Sequence, residues 1–156
     1  MERIRALSWA GGVRTVWCSA ERKARESAEI LAGQLCLRRV FELPALGEND
    51  RSSTGYLLKT EFELTAAPFF ARPEEGIRRW ERAVDAQIRI GRAVEQAIAG
   101  SAESPGDFAI VAHGGVGALL LCHLGAHAIG RQHDQPPNEG GNYFAFDAAT
   151  RRLRHD

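Results

Sequence analysis

The spacing of apolar residues changes along the chain. Some segments have the pattern typical of strands, and the segments between them have the pattern typical of helices. Runs rich in β-branched and aromatic residues predict strands at 13–19, 37–43 and 142–147, and the apolar run 108–112 predicts a fully buried parallel strand. Apolar residues three and four apart predict helices from residue 20 onward, over 73–98 and over 115–130. This alternation predicts a three-layer α/β/α sandwich with a mostly parallel sheet.

Two of the helical segments carry regular apolar stripes. After residue 20 the stripe consists of Ala24, Ala28, Leu31 and Leu35. Over 73–98 it consists of Ile77, Trp80, Val84, Ile88, Gly91, Val94 and Ile98. Residues 1–10 have the spacing of the last turns of a helix, and the glycines that follow signal its end. The polar stretch 47–55 has no such period and is predicted to be a surface loop.

Composition narrows the class of protein. A chain of 156 residues is the size of one domain, so we expect a single domain over residues 1–156. Twenty basic and 20 acidic side chains balance, which gives no reason to expect nucleic acid or a membrane surface as a partner. Three cysteines without CxxC spacing, and no signal peptide or membrane-spanning run, predict reduced thiols in a cytoplasmic protein.

The strongest candidate for chemistry is His113, which directly follows the apolar strand and precedes Gly114 and Gly115. Ligands bind beyond the carboxyl ends of parallel strands, where helix N-termini offer unpaired N–H groups. Glycine lets the backbone approach a ligand closely. The segment therefore predicts an anion-binding site, and a core histidine satisfied by a carbonyl is the alternative.

Two further segments carry candidate polar residues. Ser19 and Lys23 lie at a second junction between a strand and a helix, and Glu48 lies in the polar loop. A serine here can also be a plain helix cap, the lysine an ordinary residue of the first turn, and the glutamate a solvated charge. Each of these segments is ambiguous by itself.

Their order and spacing resemble the histidine phosphatase, or phosphoglycerate-mutase-like, superfamily. VAHGGV at 111–116 is similar to the family's motif of a strand followed by His-Gly-Gly. Residues 19–28 resemble its element Ser-x-x-x-Arg-Ala-x-x-Thr-Ala, and Leu46-Gly47-Glu48 resembles its general-acid loop. The segment 141–144 resembles its last core strand, in which a small polar residue faces the pocket.

The resemblance implies a phosphomonoester hydrolase that transfers a phosphoryl group through a phosphohistidine. It implies that His113 stabilises the transferred group and that Glu48 protonates the leaving oxygen. The residues it assigns to phosphate are Lys23, Ser19, Gly114, Arg51 and Asn142. The expected partner is phosphate or a small phosphorylated molecule, with no cofactor and no metal.

Two departures from the family pattern change the expected activity. Lys23 stands where the family has an arginine, and Arg22, Arg25 or Arg51 could compensate for the lost bidentate contact. The family's Arg-His-Gly segment, which carries the nucleophilic histidine, has no counterpart in this sequence. We therefore expect an N-terminally truncated domain with negligible turnover. The alternative is a non-catalytic pseudoenzyme that binds a phosphate ligand.

A metal site is the least favoured hypothesis. His123 and His127 are four residues apart, which would place them on one helix face beside Cys122. Gly125 weakens the helix between them, and the adjacent glutamate of the metalloprotease signature is missing. We therefore expect no metal there.

Overall fold

The computed structural model describes residues 9–134 and 142–154 and confirms the α/β class. Its strands are β1 (Val13–Cys18), β2 (Val40–Glu42), β3 (Asp107–Val111), β4 (Ala145–Phe146) and β5 (Leu153–Arg154). Its α-helices are α1 (Arg22–Gln34), α2 (Lys59–Ala71), α3 (Ala83–Ser101) and α4 (Gly114–Leu124). The predicted helical turns at 1–10 lie almost wholly outside the described residues.

Contacts within the chain group it into two units. Unit 1 comprises Met1–Gly47 and Arg92–His113, and unit 2 comprises Glu48–Gly91 and Gly114–Asp156. Each unit is built from discontinuous segments, with one boundary inside α3. That residues 1–156 form a single domain stays a prediction.

Unit 1 is organised by a parallel sheet with the strand order β2-β1-β3. The central strand β1 is buried at four of its six positions because it has a neighbour on both edges. Helix α1 lays Ala24, Ala28 and Leu31 against Val13 and Val16 of this strand. The predicted apolar stripe of α1 therefore packs into the core of unit 1.

Strand β3 is less buried than its sequence predicts. Residues Phe108, Ala109, Ile110 and Val111 are all half-buried, and among the described residues β3 pairs with β1 alone. The prediction of a fully buried strand over 108–112 is wrong in this respect. An apolar run is typical of a parallel strand that is covered on both faces, whereas β3 stays partly exposed.

Unit 2 has an aromatic core that the sequence pattern did not predict. Helix α2 contributes Phe69 and Phe70, which pack with Trp80 and with Ala118 and Leu119 of α4. Helix α2 itself was missed. Its apolar residues are spread around the helix and Pro68 lies inside it, so no single stripe marks it.

Helix α3 begins ten residues later than predicted, at Ala83 instead of Pro73. The intervening Ile77–Arg79 forms a single 3-10 turn, with Arg78 at φ 50°. The buried face of α3 consists of Ala83, Ala86, Ile90, Ala93, Val94 and Ala97. Ile88, which belongs to the predicted stripe, is 52% exposed. Four of these six buried residues are alanines. Alanine is only weakly hydrophobic, so the apolar pattern of the sequence did not mark this face.

The C-terminal elements are shorter than predicted. Helix α4 ends at Leu124 instead of residue 130, and Ala126 after it has φ 52°. The predicted strand 142–147 shrinks to β4, which pairs antiparallel with β5 and not with the parallel sheet. No helix in the described part of the chain is both long enough and apolar enough to cross a membrane.

The three thiols differ in exposure, which predicts their reactivity. Cys18 and Cys122 are buried and Cys36 is exposed, all three unpaired. Burial also raises the pKa of the Cys18 thiol, which lowers its thiolate fraction at neutral pH. We expect a thiol reagent such as Ellman's reagent to modify one cysteine rapidly in the native protein and all three in denaturant.

A Cys36→Ser variant serves as the control for this assignment. It should lose the fast phase and keep the two slow thiols. Rapid modification of Cys18 or Cys122 in the native protein would contradict the buried positions of these side chains.

Candidate functional site

The register of the parallel sheet brings Ser19 and His113 together. Cys18, the last residue of β1, lies opposite Val111, the last residue of β3. The Ser19 amide continues this pairing by donating to the Val111 carbonyl at 3.3 Å. The residues that follow each strand therefore leave the same edge of the sheet side by side, as predicted for ligand-binding residues in such sheets.

Ser19 Oγ and His113 Nε2 lie 2.8 Å apart and share a hydrogen bond. Ser19 is fully buried, and 13% of the His113 side chain is exposed. The Glu21 carboxylate lies 3.4 Å from the same nitrogen, with about half of its side chain exposed. We call these three residues the histidine cluster; all of it lies in unit 1.

Glu48 is held at the N-terminus of α4. Its Oε2 accepts a hydrogen bond from the Gly115 amide at 3.3 Å, and its Oε1 accepts one from the Val116 amide at 3.1 Å. A β-carbon on Gly115 would lie 2.7 Å from Glu48 Oε1, so a larger residue there would displace the carboxylate from this position. The chain thus places one of its own carboxylates where a helix N-terminus attracts an anion.

Arg51 completes this second cluster. Its guanidinium lies 3.2 Å from Glu48 Oε2 and sits over the rings of Phe62 and Trp80 at 5.1 and 5.5 Å. Trp80 is oriented by a hydrogen bond from its indole nitrogen to the Thr54 hydroxyl. Cation–π contacts therefore fix the guanidinium beside the carboxylate. Glu48, Arg51 and the amides of α4 form the carboxylate cluster, which belongs to unit 2.

The other residues that sequence analysis singled out lie in varied surroundings. Lys23 is exposed in the first turn of α1, and Gly114 is the first residue of α4. Asn142 is half-buried and lies outside the strands, and Gly141 falls outside the described residues. As phosphate ligands, Lys23, Ser19, Gly114, Arg51 and Asn142 all remain predictions.

The arginines proposed as substitutes for a family arginine already have carboxylate partners. Arg22 pairs with Glu26 at 2.7 Å, and Arg25 lies 3.8 Å from Glu42. Both pairs are exposed, so either arginine can exchange its partner at little cost. Arg51 is more enclosed and pairs with Glu48.

The premise of the metal hypothesis is wrong. Helix α4 ends at Leu124, so His127 does not share a helix face with His123. The His127 ring instead stacks on His133, with centroids 4.5 Å apart. Within residues 9–134 and 142–154, no group of three or more His, Cys, Asp or Glu side chains is placed to hold a metal ion.

Sequence reasoning missed three polar residues that contact the candidate residues. Glu21 faces His113, and Glu81 and Arg89 make hydrogen bonds to the segment that carries Glu48. Glu21 could have been suspected because it follows Ser19 by two positions. Glu81 and Arg89 gave no local signal, since their partners in the segment that carries Glu48 lie more than 30 positions away in the chain.

Comparison with known proteins finds one family and several similar structures. Residues 3–153 match the family model described as histidine phosphatase superfamily (branch 1). Native mycobacterial glucosyl-3-phosphoglycerate phosphatase is 19% identical, with a TM-score of 0.70 over 99% of this chain and 79% of that chain. YhfR from Bacillus stearothermophilus is 20% identical, with a TM-score of 0.69 over 98% of this chain and 75% of that chain.

The mycobacterial glucosyl-3-phosphoglycerate phosphatase also matches as its complex with inorganic phosphate. This structure is 21% identical, with a TM-score of 0.62 over 83% of this chain and 67% of that chain. No curated protein sequence matches the chain significantly. The expected phosphoglycerate-mutase-like α/β fold is confirmed by these structural similarities.

Proposed function

The chain belongs to the histidine phosphatase superfamily, and we propose that it binds phosphate esters as a domain of the phosphomonoester hydrolase type. The observation that carries this proposal is the Ser19–His113 hydrogen bond of 2.8 Å at the carboxyl ends of two adjacent parallel strands. An imidazole and a hydroxyl at this place are suitable donors for phosphoryl oxygens. A similar structure, that of a mycobacterial phosphatase, contains inorganic phosphate.

The roles follow from the chemistry of each side chain. His113 and Ser19 would donate hydrogen bonds to phosphoryl oxygens, and Lys23 would add positive charge. Glu48 would give a proton to the leaving oxygen when the ester P–O bond breaks. This last role comes from the family resemblance, and the hydrogen bonds at Glu48 support it by giving the carboxylate a defined orientation.

The proposed level of activity depends on whether the chain has a nucleophilic histidine. In the family reaction a histidine nitrogen forms a bond to phosphorus as the ester oxygen leaves. Residues 1–156 contain no Arg-His-Gly segment to supply that histidine. We therefore propose that this chain binds phosphate esters with negligible turnover.

Two measurements on the wild-type chain test this proposal. Titration with inorganic phosphate, followed by calorimetry or by ³¹P NMR line width, is expected to show saturable binding. Incubation with p-nitrophenyl phosphate is expected to give no release of nitrophenol above the rate of a His113→Ala variant. Absence of saturable phosphate binding would refute the binding proposal, and sustained turnover by wild type alone would refute the proposed inactivity.

The alternative is a pseudoenzyme that binds a phosphate ligand without chemistry. Exogenous imidazole separates the two, because it supplies a nucleophilic nitrogen that can take the phosphoryl group and later yield it to water. A hydrolase-type site should show nitrophenol release that depends on imidazole concentration and requires Glu48 and His113. A pseudoenzyme should bind phosphate and show no imidazole-dependent release.

A further inference from the structure

The segment that carries Glu48 is attached to residues 81 and 89 by hydrogen bonds at two of its backbone positions. Arg89 Nη2 donates to the Glu48 carbonyl at 3.2 Å. The Asp50 amide donates to Glu81 Oε2 at 3.1 Å, and the Glu81 amide donates to the Asp50 carbonyl at 2.9 Å. The backbone on both sides of Asn49 is therefore held by these residues.

Glu81 and Arg89 also hold each other. Arg89 Nε donates to Glu81 Oε1 at 2.9 Å, and Arg89 Nη2 donates to Glu81 Oε2 at 2.8 Å. This two-point contact is the strong, directional form of an arginine–carboxylate pair. Their side chains are only 27% and 18% exposed, so solvent weakens the pair less than it would a surface pair.

A comparison with a nearby pair shows what is particular about this arrangement. Arg82 and Asp85 also form a two-point contact, at 2.6 and 2.8 Å, but Arg82 directly precedes α3, Asp85 lies in its first turn, and both side chains are about half exposed. Besides Asp85, the Arg82 guanidinium has the Glu74 carboxylate at 3.9 Å. Glu81 and Arg89, by contrast, form hydrogen bonds both to each other and to the backbone of the segment 48–50.

We propose that Arg89 and Glu81 are positioning residues for the carboxylate of Glu48. The proposal rests on the proposed function, in which Glu48 is the proton donor. A carboxylate can transfer a proton efficiently only when its oxygen is held close to the reacting atom, and an error of about 1 Å can cost about 100-fold in rate. Fixing the Glu48 backbone lets its side chain reach the amides of Gly115 and Val116 in one conformation.

The test uses two substitutions of Arg89 and one control. Arg89→Met keeps much of the side-chain volume and removes every hydrogen bond. Arg89→Lys keeps the charge but cannot bond the Glu81 carboxylate at two points and the Glu48 carbonyl at once. Arg92→Met, at an exposed arginine on the same helix, is the matched control.

The decisive measurement is the amide proton shift of Gly115 and Val116 in ¹⁵N-labelled protein. Both amides donate to Glu48, so loss of its position should move their proton resonances upfield. We expect a large movement in Arg89→Met, a smaller one in Arg89→Lys and none in Arg92→Met. If the pair only stabilised the fold, Arg89→Met would lower the melting temperature and leave both resonances unchanged below it, which would overturn the proposal.

A kinetic measurement connects this result to the reaction. In the imidazole-supported assay, Arg89→Met should lower kcat about tenfold or more while the affinity for inorganic phosphate stays within about twofold of wild type. A loss of phosphate affinity equal to the loss of rate would contradict a role through Glu48. If wild type shows no phosphate binding, the proposed function fails, and the amide shifts still decide whether Arg89 positions Glu48.

Discussion

Replacing Phe69 by alanine is expected to lower the free energy of unfolding by about 3–5 kcal/mol. Phe69 is 1% exposed, and its ring lies 5.0 Å from that of Phe70 and 6.0 Å from that of Trp80 in edge-to-face arrangements. The substitution removes these ring contacts and leaves a cavity in the core of unit 2. Equilibrium unfolding in urea, followed by tryptophan fluorescence, measures the loss.

Leu64→Ala is the matched control for this variant. Leu64 lies on the same helix but is 73% exposed, so its truncation should change the free energy of unfolding by no more than about 0.5 kcal/mol. Equal losses for the two variants would contradict the burial pattern of α2. If the urea unfolding curve of Phe69→Ala shows a second transition at the wild-type midpoint, that transition would belong to unit 1, whose core contains neither Phe69 nor Leu64.

The parallel sheet and its histidine could be predicted because their signals are local. Strand β1, helix α1 and the position of His113 follow from residue types that are adjacent or separated by three or four positions. The glycines after His113 likewise mark the start of α4. The burial of β3 could not be predicted, because it depends on the elements that cover and flank the strand and not on its own sequence.

The aromatic core and the contacts of Glu48 could not be predicted for a different reason. Helix α2 lacks one apolar face and contains Pro68, so its existence depends on tertiary contacts that override local preference. The contact of Arg89 with the Glu48 carbonyl joins residues 41 positions apart. A single sequence identifies Glu48 and Arg51 as candidates but carries no signal for Glu81 and Arg89, which hold the backbone around Glu48.

Replacing His113 by alanine is expected to weaken the binding of inorganic phosphate about 10- to 100-fold. A hydrogen bond to a charged group contributes about 1.5–3 kcal/mol, and each 1.4 kcal/mol is about tenfold in affinity. The substitution also leaves the fully buried Ser19 hydroxyl without its histidine partner, which adds a cost in stability. Calorimetric titration with phosphate, alongside thermal unfolding, separates the two effects.

Two further variants separate the effect on phosphate affinity from the effect on stability. His113→Gln offers Ser19 another polar partner without an imidazole, so it should recover stability but not phosphate affinity. Glu21→Gln removes a negative charge 3.4 Å from His113 Nε2 and should strengthen phosphate binding by roughly two- to fivefold. A structural histidine would give another pattern, in which His113→Ala lowers only stability and Glu21→Gln leaves affinity unchanged. Opposite effects of His113→Ala and Glu21→Gln on affinity would therefore place phosphate at His113, because a general loss of structure cannot strengthen binding.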